Sequence, residues 1–161
     1  MKMKIGILSD THLHRLTRDF RDILDQFLWD VDLIFHAGDF VSAEIVEFLS
    51  RKNFHGVHGN MDPIEVKKIL PEKKMVQVGP YRLGLIHGDG PSAGLEERIR
   101  SEFQNVDAIV YGHSHRAANY VKDGILLFNP GTATGFSYSK YHSLGILKVG
   151  ETIRGEIIPI E

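Results

Sequence analysis

Apolar residues along this chain keep two rhythms. Short unbroken runs at 5–8, 31–35 and 53–57 each stop abruptly at polar residues, and between them apolar positions recur at helical spacing. Short runs bounded by turn residues read as buried strands. Phe20, Ile23, Leu24, Phe27 and Leu28 within 19–29, and Ile45, Val46, Phe48 and Leu49 within 43–49, read as the inward faces of two helices. Strand and helix alternate in this half, which predicts a parallel sheet with right-handed crossovers. Phe20, Phe27 and Trp29 fall to the core on this reading, and Pro63 ends the third strand. The second half keeps a different pattern. Strands at 74–78 and 81–86 flank Gly79-Pro80, a helix covers 95–103, a strand 107–111, and runs at 119–122 and 125–128 flank the turn pair Asp123-Gly124. A Ser-, Thr- and Tyr-rich loop at 134–142 leads to closing antiparallel strands at 144–149 and 152–160. About ten strands against three or four helices is too many for one covered sheet of this size. The pattern therefore predicts two packed sheets with helices on their outer faces.

The length of 161 residues suits one domain spanning 1–161, with no internal repeat or linker. A net charge of −2 leaves no broad basic footprint, so no extended duplex nucleic acid is expected as a partner. Lys67, Lys68, Lys73 and Lys74 are interleaved with Glu65 and Glu72, as on a solvated mixed-charge face. Cysteine is absent. That removes disulfides and thiolate metal sites, is compatible with a cytoplasmic setting, and leaves imidazole, carboxylate and amide as metal ligands. The apolar run after Lys4 ends at Ser9-Asp10, too short for a secretory core, and no stretch could span a membrane.

Chemistry gathers where the runs end. Asp10 and His12, Asp39, Asn60, His87, and finally His113 with His115 follow five successive strands of the two halves, the hairpin's first strand apart. Open α/β sheets bind ligands at the carboxyl ends of their strands. Asp10 alone could be a helix cap and Asn60 a turn amide, but caps and turns do not explain five such ends together. In an extended segment, His113 and His115 would point to opposite sides, as though each served a different partner, and two metal ions would supply two. Gly112 allows a backbone conformation or a close approach that a Cβ would obstruct.

In this order, Asp10-x-His12, Gly38-Asp39, Gly59-Asn60, His87-Gly88 and Gly112-His113-Ser114-His115 resemble the motifs of the calcineurin-like metallophosphoesterases. The compact length is similar to their small bacterial and archaeal phosphodiesterase branch, and the resemblance runs from residue 5 to at least 132. It implies an α/β fold, a four-layer αββα sandwich of two mixed β-sheets flanked by helices, with two divalent metal ions. Asp10, His12, Asp39 and His115 match the ligands of one ion; Asp39, Asn60, His87 and His113 match those of the other. Asp39 would bridge, having two oxygens to share. The mixed nitrogen and oxygen set suits Mn²⁺, Fe²⁺, Co²⁺, Ni²⁺ or Zn²⁺, and the family points to Mn²⁺. The implied reaction is hydrolysis of a small phosphodiester or nucleotide by a hydroxide bridging the ions.

One position departs from the family pattern. Many members carry His directly after the Asn of Gly-Asn, placed to protonate the leaving group, and this chain has Met61. Asp62 and His58 are the candidate catalytic acids in its place, with His14 a third; His36, His55 and His142 read as ordinary histidines. Asn129-Pro130-Gly131-Thr132 is similar to the family's Asn-Pro-Gly-Ser segment and is expected to shape the site without supplying ligands. The alternative is an interaction scaffold, since the retromer complex contains a subunit of this fold and size. The presence of all seven matched ligands favours an enzyme. A nuclease of duplex DNA would need a capping domain for which there is no room. Self-association into a homo-oligomer stays open.

Overall fold

The structure, a computed structural model, describes residues 2–134 and 141–160. In the first half, β1 (Met3–Leu8), β2 (Leu33–His36) and β3 (Phe54–Gly56) pair in parallel, linked by α1 (Arg18–Phe27) and α2 (Ala43–Leu49). After the single-turn α3 (Ile64–Lys67) come β4 (Lys73–Val78), β5 (Tyr81–Ile86), α4 (Leu95–Ser101), β6 (Ala108–Val110), β7 (Ala118–Lys122), β8 (Ile125–Asn129), β9 (His142–Val149) and β10 (Ile153–Ile160). Two mixed five-stranded sheets result, in the orders β10-β9-β1-β2-β3 and β4-β5-β6-β8-β7. In the first sheet the parallel β1, β2 and β3 run to one edge and the antiparallel β9 and β10 extend the other, whereas in the second the parallel β5, β6 and β8 are flanked on both sides by the antiparallel β4 and β7.

Side-chain alternation makes the layers. Ile5 and Ile7 of β1, Leu83 and Leu85 of β5, Val110 of β6 and Phe128 of β8 meet in one buried cluster between the sheets. Their neighbours point outward: Leu8 and Ile34 pack against Phe20 and Leu24 of α1 and Ile45 and Leu49 of α2, while Ile109 and Leu127 pack against Leu95 and Ile99 of α4. This is the expected αββα sandwich. Helix starts follow local chemistry, with Thr17 accepting from Phe20 N at 3.1 Å and Ser42 from Glu44 N at 3.1 Å.

Three local expectations are corrected. Trp29 is not core but 76% exposed, because α1 stops at Phe27 and Leu28 N closes on Leu24 O, putting Trp29 past the buried stripe. β3 is only three residues long and ends well before Pro63, which instead occupies the N-cap of the unanticipated α3. The predicted helix at 95–103 ends at Ser101, Phe103 packing against it as loop. Most of the Ser-, Thr- and Tyr-rich loop, 135–140, lies outside the described residues.

Candidate metal centre

The carboxyl ends of β1, β2, β5 and β6 meet across the two sheets. Asp10 Oδ1 lies 3.2 Å from His115 Nε2 and 3.7 Å from the Nε2 atoms of both His12 and His87. Asp39 Oδ2 lies 3.1 Å from His87 Nε2 and 3.7 Å from His12 Nε2. Two overlapping groups, Asp10 with His12 and His115, and Asp10 with Asp39 and His87, are close enough for each to hold a metal ion. Asn60 lines a cleft of about 170 Å³ beside His87, and the His113 ring packs edge-on to that of His87 at 5.3 Å.

Each carboxylate has one oxygen anchored and one presented. Asp10 Oδ2 accepts from Ser9 Oγ at 2.5 Å and His113 N at 3.1 Å, and Asp39 Oδ1 accepts from Met61 N at 2.8 Å. The other oxygens, Asp10 Oδ1 and Asp39 Oδ2, face the imidazoles. Asp39 Oδ2 thus faces both His12 and His87. Gly112 shows its value here, because a Cβ would collide with Ser9 Oγ and Asp10 Oδ2.

Unusual backbone accompanies the cluster. Asp10, His12, Asp39, Val41, His113 and His115 all have φ between 46 and 73°. For Val41, a β-branched residue, that conformation is an outlier. His113 and His115 do diverge, but through two left-handed residues and not by the alternation of an extended strand.

The electrostatics ask for a cation. Burial raises the cost of ionising Asp10, yet His87 beside it, with His115, His12 and Ser9 close by, holds its carboxyl below the ordinary range. Burial would depress His87, but Asp10 and Asp39 overcome that and raise it to about 9. His115 is raised too, chiefly by the Asp10 carboxylate beside it. His87 Nδ1 is 2.8 Å from the Ala37 carbonyl, which can only accept, so a neutral ring turns its Nε2 lone pair toward Asp39. Two acceptors 3.1 Å apart need a proton or a metal ion between them. Asp10 Oδ1 and His87 Nε2 are in fact buried without a hydrogen-bond partner. Bonds of about 2.1 Å put neighbouring donors about 3.0–3.4 Å apart around an ion, close to the observed spacings. The residues fit divalent metals.

A family model described as the calcineurin-like phosphoesterase superfamily domain matches residues 3–152. The chain belongs to this superfamily. A probable metallophosphoesterase of Methanocaldococcus jannaschii is 33% identical over 99% of this chain and 82% of its own length. The solved structure of an archaeal phosphodiesterase matches with a TM-score of 0.78 at 28% identity, covering 98% of this chain and all of that one, 100%. Vps29 of Entamoeba histolytica complexed with zinc matches at 0.65 and 22% identity, covering 98% of this chain and 99% of its own, a likeness of fold alone.

For a phosphoesterase the neighbours of the cluster matter as much as its members. Asp62, a candidate acid on sequence grounds, is buried, and its carboxylate accepts from Asp39 N at 2.9 Å, Val41 N at 2.8 Å and Gly59 N at 2.8 Å. Instead of facing the cleft as the sequence suggests for an acid, Asp62 has its carboxylate oxygens engaged by three backbone amides, which makes it a positioning group for the β2 and β3 loops. His58 is half-buried and borders the same cleft as Asn60 and His87, whereas His14 is exposed. Met61 is 59% exposed.

His36, which reads as an ordinary histidine in the sequence, has a structural role. It is fully buried, stacks on Phe40 at 3.6 Å, accepts from Gly38 N at 3.1 Å and meets Thr11 Oγ1 at 3.0 Å, bracing both carboxylate loops. Burial lowers it to about 3, so it braces as a neutral ring. Asn129 donates to Gly112 O and Ser114 Oγ, both at 3.1 Å, and Thr132 donates to Asp10 O at 2.8 Å. The expected shaping segment is in place.

Proposed function

We propose that this chain is a binuclear, metal-dependent phosphodiesterase acting on a small phosphodiester or nucleotide. The observation that carries the reading is the pair of presented oxygens, Asp10 Oδ1 and Asp39 Oδ2, set among His12, His87 and His115 with their partner oxygens anchored. Asp10, His12, Asp39 and His115 would hold one ion, and Asp39, Asn60, His87 and His113 the other. When bound, the ions would supply positive charge for the phosphoryl oxygens and lower the pKa of a water. Mn²⁺ is the expected ion, and the donor set also accommodates Fe²⁺, Co²⁺, Ni²⁺ or Zn²⁺. We expect a single domain acting in the cytoplasm; among the described residues no helix is long and apolar enough to cross a membrane.

The leaving group meets a surface without the family's usual histidine. Met61 cannot donate a proton, and His58 is the remaining acid at the cleft. A general acid contributes about 10²–10⁴-fold, most for basic leaving groups. Aryl diesters should therefore be cleaved much faster than alkyl ones, with rates falling steeply as leaving-group pKa rises. Met61→His should help alkyl diesters most, and His58→Gln should harm them selectively if it serves. Elemental analysis combined with hydrolysis of aryl and alkyl diesters under added Mn²⁺, Ni²⁺, Co²⁺ or Zn²⁺ tests the whole reading. A shallow leaving-group dependence in the unmodified protein, indifferent to both substitutions, would refute the Met61 argument.

Exposed Met61 and Ile64, each 59% accessible on the rim, favour a second reading as a protein-binding scaffold. Metal binding does not separate the two, because the Vps29 structure also holds zinc. Hydrolysis does: a metal-loaded protein inert toward diesters, monoesters and nucleotides would support the scaffold.

A further inference from the structure

The loop joining β5 to α4 is wound around one guanidinium. Arg98 reaches back from α4 so that Nε and Nη2 donate to the Asp89 carbonyl at 3.2 and 2.6 Å, and Nη1 to that of Ala93 at 3.0 Å. Nη2 also donates to the carbonyl of Pro91. Three backbone carbonyls in five residues thus converge on one planar fork, which a Lys ammonium could not reproduce. The loop closes this tightly because Gly90 has φ of 75° and no side chain; a Cβ there would lie 3.2 Å from Arg98 Nη2.

Gly90 sits between two clamped carbonyls, and its own carbonyl meets His113 Nε2 at 2.7 Å. A carbonyl only accepts, so in the neutral ring the hydrogen resides on Nε2 and the lone pair on Nδ1. Meanwhile His113 N is held by Asp10 Oδ2 at 3.1 Å, which fixes the ring's root. Liganding histidines characteristically donate their other N–H to such a carbonyl, and loss of that partner costs about 10–100-fold in metal affinity.

We propose that Arg98 is a positioning residue for the metal centre: by clamping the 89–93 backbone it holds the Gly90 carbonyl on His113 Nε2–H and so presents His113 Nδ1 to the ion on the His87 side. The proposal rests on the ligand assignment made under Proposed function. Arg98 reaches His113 through the loop.

The test compares wild type, Arg98→Ala and Arg98→Lys. In the metal-free proteins, ¹⁵N shifts of the neutral His113 ring should report the Nε2–H tautomer in wild type and move toward a tautomer average in both variants. In Mn²⁺ titrations, one of the two binding steps should weaken about 10–100-fold in both variants while the other stays within about twofold. Wild-type behaviour of Arg98→Lys in both measurements would overturn the proposal, since charge alone would then suffice. An unchanged tautomer with both binding steps weakened alike, alongside a lower melting temperature, would overturn it too. If Arg98→Ala does not fold, Arg98→Lys decides. Should wild-type protein bind no metal, the ligand assignment falls, and the tautomer measurement still judges the Arg98 relay by itself.

Discussion

The two sheets bring unlike chemistry to their meeting edge. The sheet built on β1, β2 and β3 contributes Asp10, Asp39 and Asn60, all oxygen donors, with His12 the one imidazole; the sheet built on β5 and β6 contributes His87, His113 and His115, all imidazoles. Between the sheets the packing is apolar and non-directional. At this edge one sheet's position on the other has an electrostatic consequence, because Asp10 Oδ1 pairs with His115 at 3.2 Å and Asp39 Oδ2 with His87 at 3.1 Å across the gap. A carboxylate half facing an imidazole half attracts itself when the imidazoles carry protons, and binds cations when they do not. The lower layers hold the sandwich together, and the edge decides what it is for.

The hardest blow to this pairing is Asp39→Asn. It removes a charge that faces His12 and His87 at once, so both ions should be lost, each by more than the 10–100-fold typical of losing an outer partner. His87→Ala should instead weaken one ion well beyond the other. Elemental analysis after dialysis, alongside diester hydrolysis, reads both; a full metal complement in active Asp39→Asn protein would rule out the bridge. A smaller effect should follow Asp62→Asn, which disturbs the oxygen-bearing sheet alone. Its three amide contacts lie within the β2 and β3 loops, so stability should fall by about 2–3 kcal/mol in urea unfolding. Amide exchange should quicken at Asp39, Val41 and Gly59 and stay unchanged at Gly112 and His113. Equal quickening on both sheets would mean that the halves are braced as one unit.

The oxygen and nitrogen donors themselves were legible in the sequence because each lies within a few residues of the end of an apolar run. What holds the donors was not legible. Ser9, Met61 N and Asp62 act through one carboxylate oxygen or through backbone amides, and which oxygen is anchored depends on loops that meet only in the fold. Asp62 looked like an acid for that reason: a carboxylate beside a motif gives no sign that three N–H groups already claim it. His36 looked ordinary because its partners Thr11, Gly38 and Phe40 come together only when two loops stack. Trp29 misled through a helix end, since helical spacing does not say where Leu28 will cap.

The smallest effect, and the finest test of the contrast, is in pH. His87 is raised to about 9 from an ordinary 6.5, so above 6.5 the metal-free folded chain keeps a proton that the unfolded chain has shed. Its stabilising contribution is complete below 6.5 and fades as pH climbs through 9. His36 has the opposite sign: lowered to about 3, it refuses in the folded state a proton that the unfolded chain accepts below 6.5. Stability is then lost as pH falls from 6.5 toward 3, so these two groups together favour the metal-free fold near pH 6.5 and weaken it on either side. A divalent ion seated against His87 Nε2 must displace its proton. Affinity on that side should therefore rise about tenfold per pH unit up to about 9, with one proton released per ion, and the alkaline limb of the stability curve should flatten once metal is bound. Mn²⁺ calorimetry in buffers of different ionisation enthalpy counts that proton. Affinity independent of pH between 6.5 and 9, with no proton released, would mean that His87 is not where the metal goes and that the attraction between the two halves serves the fold alone.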